Sequence, residues 1–228
     1  MPKRIPLSAN KEFNSIKNAV IQEALNILHN RITFEEDMQQ ETEAPEETMT
    51  YPSETASKRN PWTDPNDMHC QYIRGRELLD IDSENFDPEE GIRLLTLSAM
   101  QGFDVAMYRL GKLYLQGEVV EKNVGEALQW FWKADAKDNP YAQYQLGKIY
   151  LKGEDVSANY VTAQRMFEKS VRQGNAYAMY SLAKMHLQGT AKYSDIYYAV
   201  RLLSEAAKRG NQWAEYQLGK MYLYGQRV

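Results

Sequence analysis

The stretch YAQYQLGKIYLKG, residues 141–153, decides the fold. Ala142, Leu146 and Tyr150 stand four apart, the spacing of one helix face. Yet Gly147 sits at its centre and Gly153 at its end. A central glycine costs a helix about 1 kcal/mol relative to alanine. It therefore needs a structural cause.

The cause lies in repetition. The same pattern recurs as VAMYRLGKLYLQG (105–117), YAMYSLAKMHLQG (177–189) and WAEYQLGKMYLYG (213–225), each offset by 36 residues. A second pattern keeps the same register between the copies. Ala127, Ala163 and Ala199 are 36 apart, with Gly91 before them. So are Leu94, Trp130, Met166 and Leu202, and Leu95, Phe131, Phe167 and Leu203. Asn123, Asn159 and Asp195 precede this pattern where an N-cap belongs, and Asp87-Pro88-Glu89-Glu90 opens its first copy in the same way. Gly102, Gly174 and Gly210 close it, with Asp138 in the fourth place.

Each unit reads as helix, glycine turn, helix, turn. A single unit cannot bury its apolar stripes alone, so the units stack. The expected fold is all-α, an α/α solenoid of 36-residue helix-turn-helix repeats. Gly111, Gly147 and Gly219 are expected where the two helices of a unit cross closely, with Ala183 in their place in one unit.

This pattern resembles the Sel1-like repeat family, a relative of tetratricopeptide repeats. Ala142, Leu146, Gly147, Tyr150 and Gly153 match the first half of the family pattern, and Ala127, Trp130, Lys133 and Ala134 the second. The departures are Ala183 for glycine and His186 for tyrosine. The resemblance covers about residues 70–228. It divides them into a degenerate first unit (70–105, keeping Tyr72, Gly75 and Leu78), units at 106–141, 142–177 and 178–213, and a half unit at 214–228. Val228 aligns with Val120 and Val156, so the repeat stops midway. The expectation is a fragment, or a last helix covered by a segment from elsewhere.

The rest of the chain differs. Residues 10–30 carry Phe13, Ile16, Val20, Ile21, Ala24, Leu25 and Leu28 at helical steps, an amphipathic helix expected within an N-terminal region 1–32. Residues 33–67 contain Pro45, Pro52, Pro61 and Pro65 without an apolar period and read as a disordered acidic linker. The solenoid is expected over 68–228. The formal net charge of −4 is uneven: +3 over 1–34, −8 over 35–67 and +1 over 68–228. No global basic excess points to nucleic acid. Cys70 is the only cysteine, which excludes an internal disulfide and suits the cytoplasm. No apolar run reaches membrane-spanning length.

Chemistry is not encoded in any recognisable constellation, so no enzyme activity, metal or cofactor is expected. His186 reads as a packed helix residue, and His29 as a partner for a helix C-terminus. His69-Cys70 has no second ligand pair at zinc spacing. Asp80 to Glu84 resembles the start of a calcium loop but lacks its glycine and its final acid.

What remains is surface. One stripe of the first helix reads Val105, Tyr108, Lys112, Leu115; then Tyr141, Tyr144, Lys148, Leu151; Tyr177, Tyr180, Lys184, Leu187; and Trp213, Tyr216, Lys220, Leu223. The resemblance to tetratricopeptide-like solenoids, whose first helix lines the concave face, implies that stacked units turn these into ladders of tyrosine and lysine along one unpacked groove on that face. Such a groove suits a protein or peptide partner, acidic in character. The acidic linker 35–67 is itself a candidate occupant. The leading expectation is a non-catalytic interaction scaffold. The alternative rests on a further resemblance: an amphipathic helix, an acidic linker and such repeats are similar to the C-terminal tails of bacterial mobilisation relaxases. That resemblance implies an accessory region that recruits partners and touches nucleic acid only indirectly.

Overall fold

The computed structural model describes residues 64–223. The expected N-terminal helix, most of the linker and the last five residues lie outside the described residues. Among the described residues there are nine helices and no strand. They are α1 (Met68–Leu78), α2 (Pro88–Met100), α3 (Asp104–Gln116), α4 (Val124–Asp135), α5 (Pro140–Lys152), α6 (Tyr160–Arg172), α7 (Ala176–Gln188), α8 (Ile196–Lys208) and α9 (Gln212–Leu223). The odd-numbered helices carry the opening motif. Each of α1, α3, α5 and α7 packs most extensively on the helix that follows it, α9 packs on α8, and the hairpins stack.

Local signals start and stop these helices. The side chains of Asp87, Asn123, Asn159 and Asp195 accept the amides of Glu90, Glu126, Thr162 and Tyr198 at 3.0–3.1 Å. These are N-caps, each satisfying a helix-start donor. The second helices end at Gly102, Gly174 and Gly210, with φ of +98°, +85° and +81°. Asp138 takes the same left-handed turn with φ of 59°, a conformation that aspartate tolerates better than most non-glycine residues.

A second set of caps escaped the sequence reading. Asn139 accepts from the amides of Tyr141 and Ala142, Asn175 from Tyr177 and Ala178, and Asn211 from Ala214. Their 36-residue spacing was the available signal. All three are buried in the turns between hairpins.

The mid-helix glycine clears room for a ring. A Cβ at Gly147 would stand 2.5 Å from Cε1 of Phe167, and one at Gly111 would stand 2.6 Å from Cε1 of Phe131. Where Ala183 replaces glycine, Leu203 replaces the phenylalanine, and both are fully buried. In the first hairpin the backbones themselves come close: a Cβ at Gly75 would lie 2.9 Å from the carbonyl oxygen of Gly91.

The first hairpin also corrects the linker boundary. Residues 64–67 belong to the fold rather than to a disordered linker. Asp67 caps α1 by accepting from the amides of His69 and Cys70. Gln71 donates to the Pro65 carbonyl, and Gln101 to that of Asn66.

Candidate functional site

The stripe proposed from the sequence is less open than its spacing suggests. Tyr108, Lys112 and Tyr144 are only 1%, 6% and 2% exposed. The expectation that this stripe stays unpacked is therefore corrected at these three positions. The reason is the stacking itself. Tyr108 lies 6.1 Å from the Phe131 ring and 5.9 Å from Tyr141 of the next hairpin. Tyr144 repeats this with Phe167 at 6.0 Å and Tyr177 at 6.1 Å. Tyr108 and Tyr144 thus each fill the joint between their own second helix and the next first helix.

Tyr108 and Tyr144 are therefore structural residues of the stack. Tyr141, Lys148, Tyr177, Tyr180, Trp213, Tyr216 and Lys220 are half-buried, and Lys184 is exposed. Burial, and then the neighbouring Tyr141, push the Tyr177 phenol above its usual pKa. Lys148 holds its ammonium 5.5 Å from the Tyr144 ring centroid, within cation–π range.

Beside this ladder lies a shallow cleft of about 200 Å³ between α3 and α5. Leu115, Gln145, Lys148, Ile149 and Lys152 line it, with Lys122, Glu154 and Asp155 from the loops. Lys122 and Asp155 pair across it at 3.0 Å, joining successive hairpins.

A polar joint that the sequence did not announce lies between α4, α5 and α6. Both oxygens of the buried Asp135 carboxylate accept from Lys169 Nζ at 2.8 Å, and Oδ1 also accepts from Gln143 Nε2 at 2.9 Å. Gln143 Oε1 in turn accepts from Gln173 at 2.9 Å. Three elements share one carboxylate, so the cluster fixes their relative position rather than presenting a reactive group.

The remaining sequence candidates have local roles. His186 is buried, accepts the Asp195 amide on Nδ1 at 3.2 Å, and meets the Tyr198 ring edge-on at 5.0 Å. His69 lies against Phe103 at 4.8 Å, beside Asp67. The segment from Asp80 forms a turn in which Ser83 donates to the Asp80 carbonyl. Among the described residues no group of three or more His, Cys, Asp or Glu could hold a metal, and no helix is long and apolar enough to cross a membrane.

Comparison with known proteins agrees with this geometry. None of the curated proteins matches the chain. Among solved structures, the chain is similar to c5321, a protective antigen present in uropathogenic Escherichia coli strains with an SLR fold. The identity is 28% and the TM-score 0.66, covering 70% of this chain and 34% of that one. The chain thus spans about a third of the length of c5321. A Sel1 repeat protein from Oxalobacter formigenes matches with 24% identity and a TM-score of 0.67, over 73% of this chain and 69% of that one. The Sel1 repeat profile itself matches residues 78–103, 104–134, 140–175, 176–211 and 214–228, in phase with the hairpins described above. With its caps, glycine seats and 36-residue register, the chain belongs to the Sel1 repeat family.

Proposed function

We propose that this chain is a non-catalytic cytoplasmic scaffold that binds a protein or peptide partner along the edge formed by α3, α5, α7 and α9. The supporting observation is the pair of contacts Tyr108–Tyr141 and Tyr144–Tyr177, which set successive first helices side by side. Lys148, Lys184 and Lys220 then fall at 36-residue intervals along one edge. The binding set is narrower than the sequence suggested. Tyr141, Lys148, Tyr177, Tyr180, Lys184, Trp213, Tyr216 and Lys220 make contact, while Tyr108, Lys112 and Tyr144 support them from beneath.

Half-buried aromatic rings give rigid contact area at low entropic cost, and the lysines select acidic side chains. The acidic segment 35–63 is a competing occupant in the same chain. The relaxase-tail alternative rests on residues 10–67, most of which lie outside the described residues, so the scaffold reading is preferred.

Peptide display against the full chain tests this. Selected peptides should be enriched in Asp and Glu. They should bind the triple variant Lys148→Glu, Lys184→Glu, Lys220→Glu at least tenfold more weakly. Peptides without acidic enrichment, or with equal affinity for the variant, would overturn the assignment.

A further inference from the structure

We propose that the cleft between α3 and α5 takes one glutamate side chain of the bound peptide, and so fixes where along the edge that peptide sits; this rests on the acidic-peptide reading above. Three observations carry it.

The first is an amide without a partner. Gln145 stands in the middle of α5, is only 3% exposed, and lines the cleft. Its side chain makes no hydrogen bond with any described residue. A polar group at that depth is ordinarily paired. Gln143, two residues earlier, shows the ordinary case: its Nε2 donates to Asp135 and its Oε1 accepts from Gln173. The Gln145 amide is instead held at the cleft as a ready donor.

The second is charge and shape. Lys148 and Lys152 follow Gln145 at the spacing of one helix face, and both line the cleft. Lys122 and Asp155 neutralise each other at 3.0 Å. The charges left are Lys148 and Lys152 against Glu154, so the lining is net positive. Leu115 and Ile149 give it an apolar wall, which suits the methylenes of a glutamate. At about 200 Å³ the cleft is smaller than a usual small-molecule pocket of about 300–1,000 Å³, and it fits a single side chain.

The third is that the cleft is not repeated. At the next joint, between α5 and α7, the positions of Gln145, Lys152 and Lys122 hold Ser181, Gln188 and Ala158. Lysines that recur every 36 residues offer a peptide several equivalent registers. Gln145 and Lys152 occur at one joint and remove that degeneracy.

Titration of the full chain followed by nuclear magnetic resonance tests this. The probe is N-acetylglutamic acid α-amide, which carries one side-chain carboxylate and no terminal charge. It should shift the Gln145 side-chain amide signals saturably, and neutral N-acetylglutamine amide should not. Gln145→Met should weaken binding about tenfold, read at the Ile149 backbone amide, because a buried donor to a carboxylate is lost. Lys152→Gln should weaken it about threefold, a smaller effect because that ammonium is exposed. Gln145→Met should also raise the midpoint of thermal unfolding, since the unbound protein sheds an unpaired donor. An unshifted Gln145, an equal response to both probes, or a lowered midpoint would overturn the proposal. Tighter binding of N-acetylglycine, whose only charge is a terminal carboxylate, would overturn the side-chain assignment. The two readings fail separately. Acid-rich displayed peptides that bind Gln145→Met as tightly as the parent chain overturn the anchor and leave the scaffold standing. Displayed peptides without acidic enrichment overturn the scaffold reading, while a saturable Gln145 shift still supports the cleft as a carboxylate site.

Discussion

The hairpins α5–α6 and α7–α8 have the same fold, the same caps and the same register, yet they divide their interior differently. The first places a glycine under a phenylalanine, Gly147 and Phe167; the second places an alanine at the same site, with a leucine in the ring position, Ala183 and Leu203. The first uses a buried polar joint, Asp135 with Gln143, Lys169 and Gln173. The second has Val171, Met179, Glu205 and Arg209 at those four positions. At these sites the two hairpins keep volume and paired polar groups, Glu205 with Arg209 in the second, and not particular residues. A glycine in the middle of a helix is one half of a volume bargain, and its other half lies 20 residues away.

The largest effect should come from breaking that bargain on one side. Gly147→Ala puts a methyl carbon 2.5 Å from the Phe167 ring. Overpacking of this kind costs about 1–3 kcal/mol, after a helix-propensity gain of at most about 1 kcal/mol is set against a larger gross strain. Phe167→Leu alone leaves a void. The double variant reproduces the α7–α8 solution and should recover most of the loss. The double-mutant cycle, read by urea unfolding, should show a favourable coupling of about 1–2 kcal/mol. Additive losses would mean that the glycine serves the backbone and not the ring.

The polar joint should come next. Asp135→Ala strands the buried Gln143 amide and takes the partner from the half-buried Lys169 ammonium, with an expected loss of about 1–3 kcal/mol. Replacing the whole joint by its α7–α8 counterparts, with Asp135→Val, Gln143→Met, Lys169→Glu and Gln173→Arg, should cost less than Asp135→Ala alone. Removing all partners of a buried network leaves nothing unsatisfied. A fourfold variant less stable than the single one would show that the two hairpins are not interchangeable here.

Most of this architecture was legible in the sequence because it is periodic. Asn123, Asn159 and Asp195 state the helix starts, and Gly102, Gly174 and Gly210 state the ends, at one spacing. Non-periodic features were not legible. Asp135 and Lys169 are aligned with no counterpart pair in other units, and only the stacking brings them to 2.8 Å. The groove was misjudged for a related reason. Period alone places Tyr108 and Tyr141 on equivalent stripes of successive first helices. It cannot say that one ring closes the joint against Phe131 while the other caps it. Burial in a stacked array depends on the neighbouring unit, and the spacing within one helix is silent about that neighbour.

The smallest prediction turns on the two turn asparagines and concerns a sign. Asn139 and Asn175 cap α5 and α7 with the same carbonyl geometry. Their amide groups differ. Asn139 Nδ2 donates to Asp104 at 2.8 Å, whereas the buried Nδ2 of Asn175 has no hydrogen-bond partner. Asn175→Ser removes that stranded donor and keeps a capping oxygen, and relieving a stranded buried donor is worth about 1 kcal/mol. It should raise stability by a similar amount at pH 7. Asn139→Asp would set a carboxylate against Asp104 at hydrogen-bond distance and should lower stability. That loss should shrink as the pH falls through the carboxylate range, because protonating one partner restores a donor between the two oxygens. Thermal unfolding of both variants at pH 7 and pH 4 reads the sign directly. If both shifts have the same sign at pH 7, the partner of Nδ2 does not distinguish the two caps.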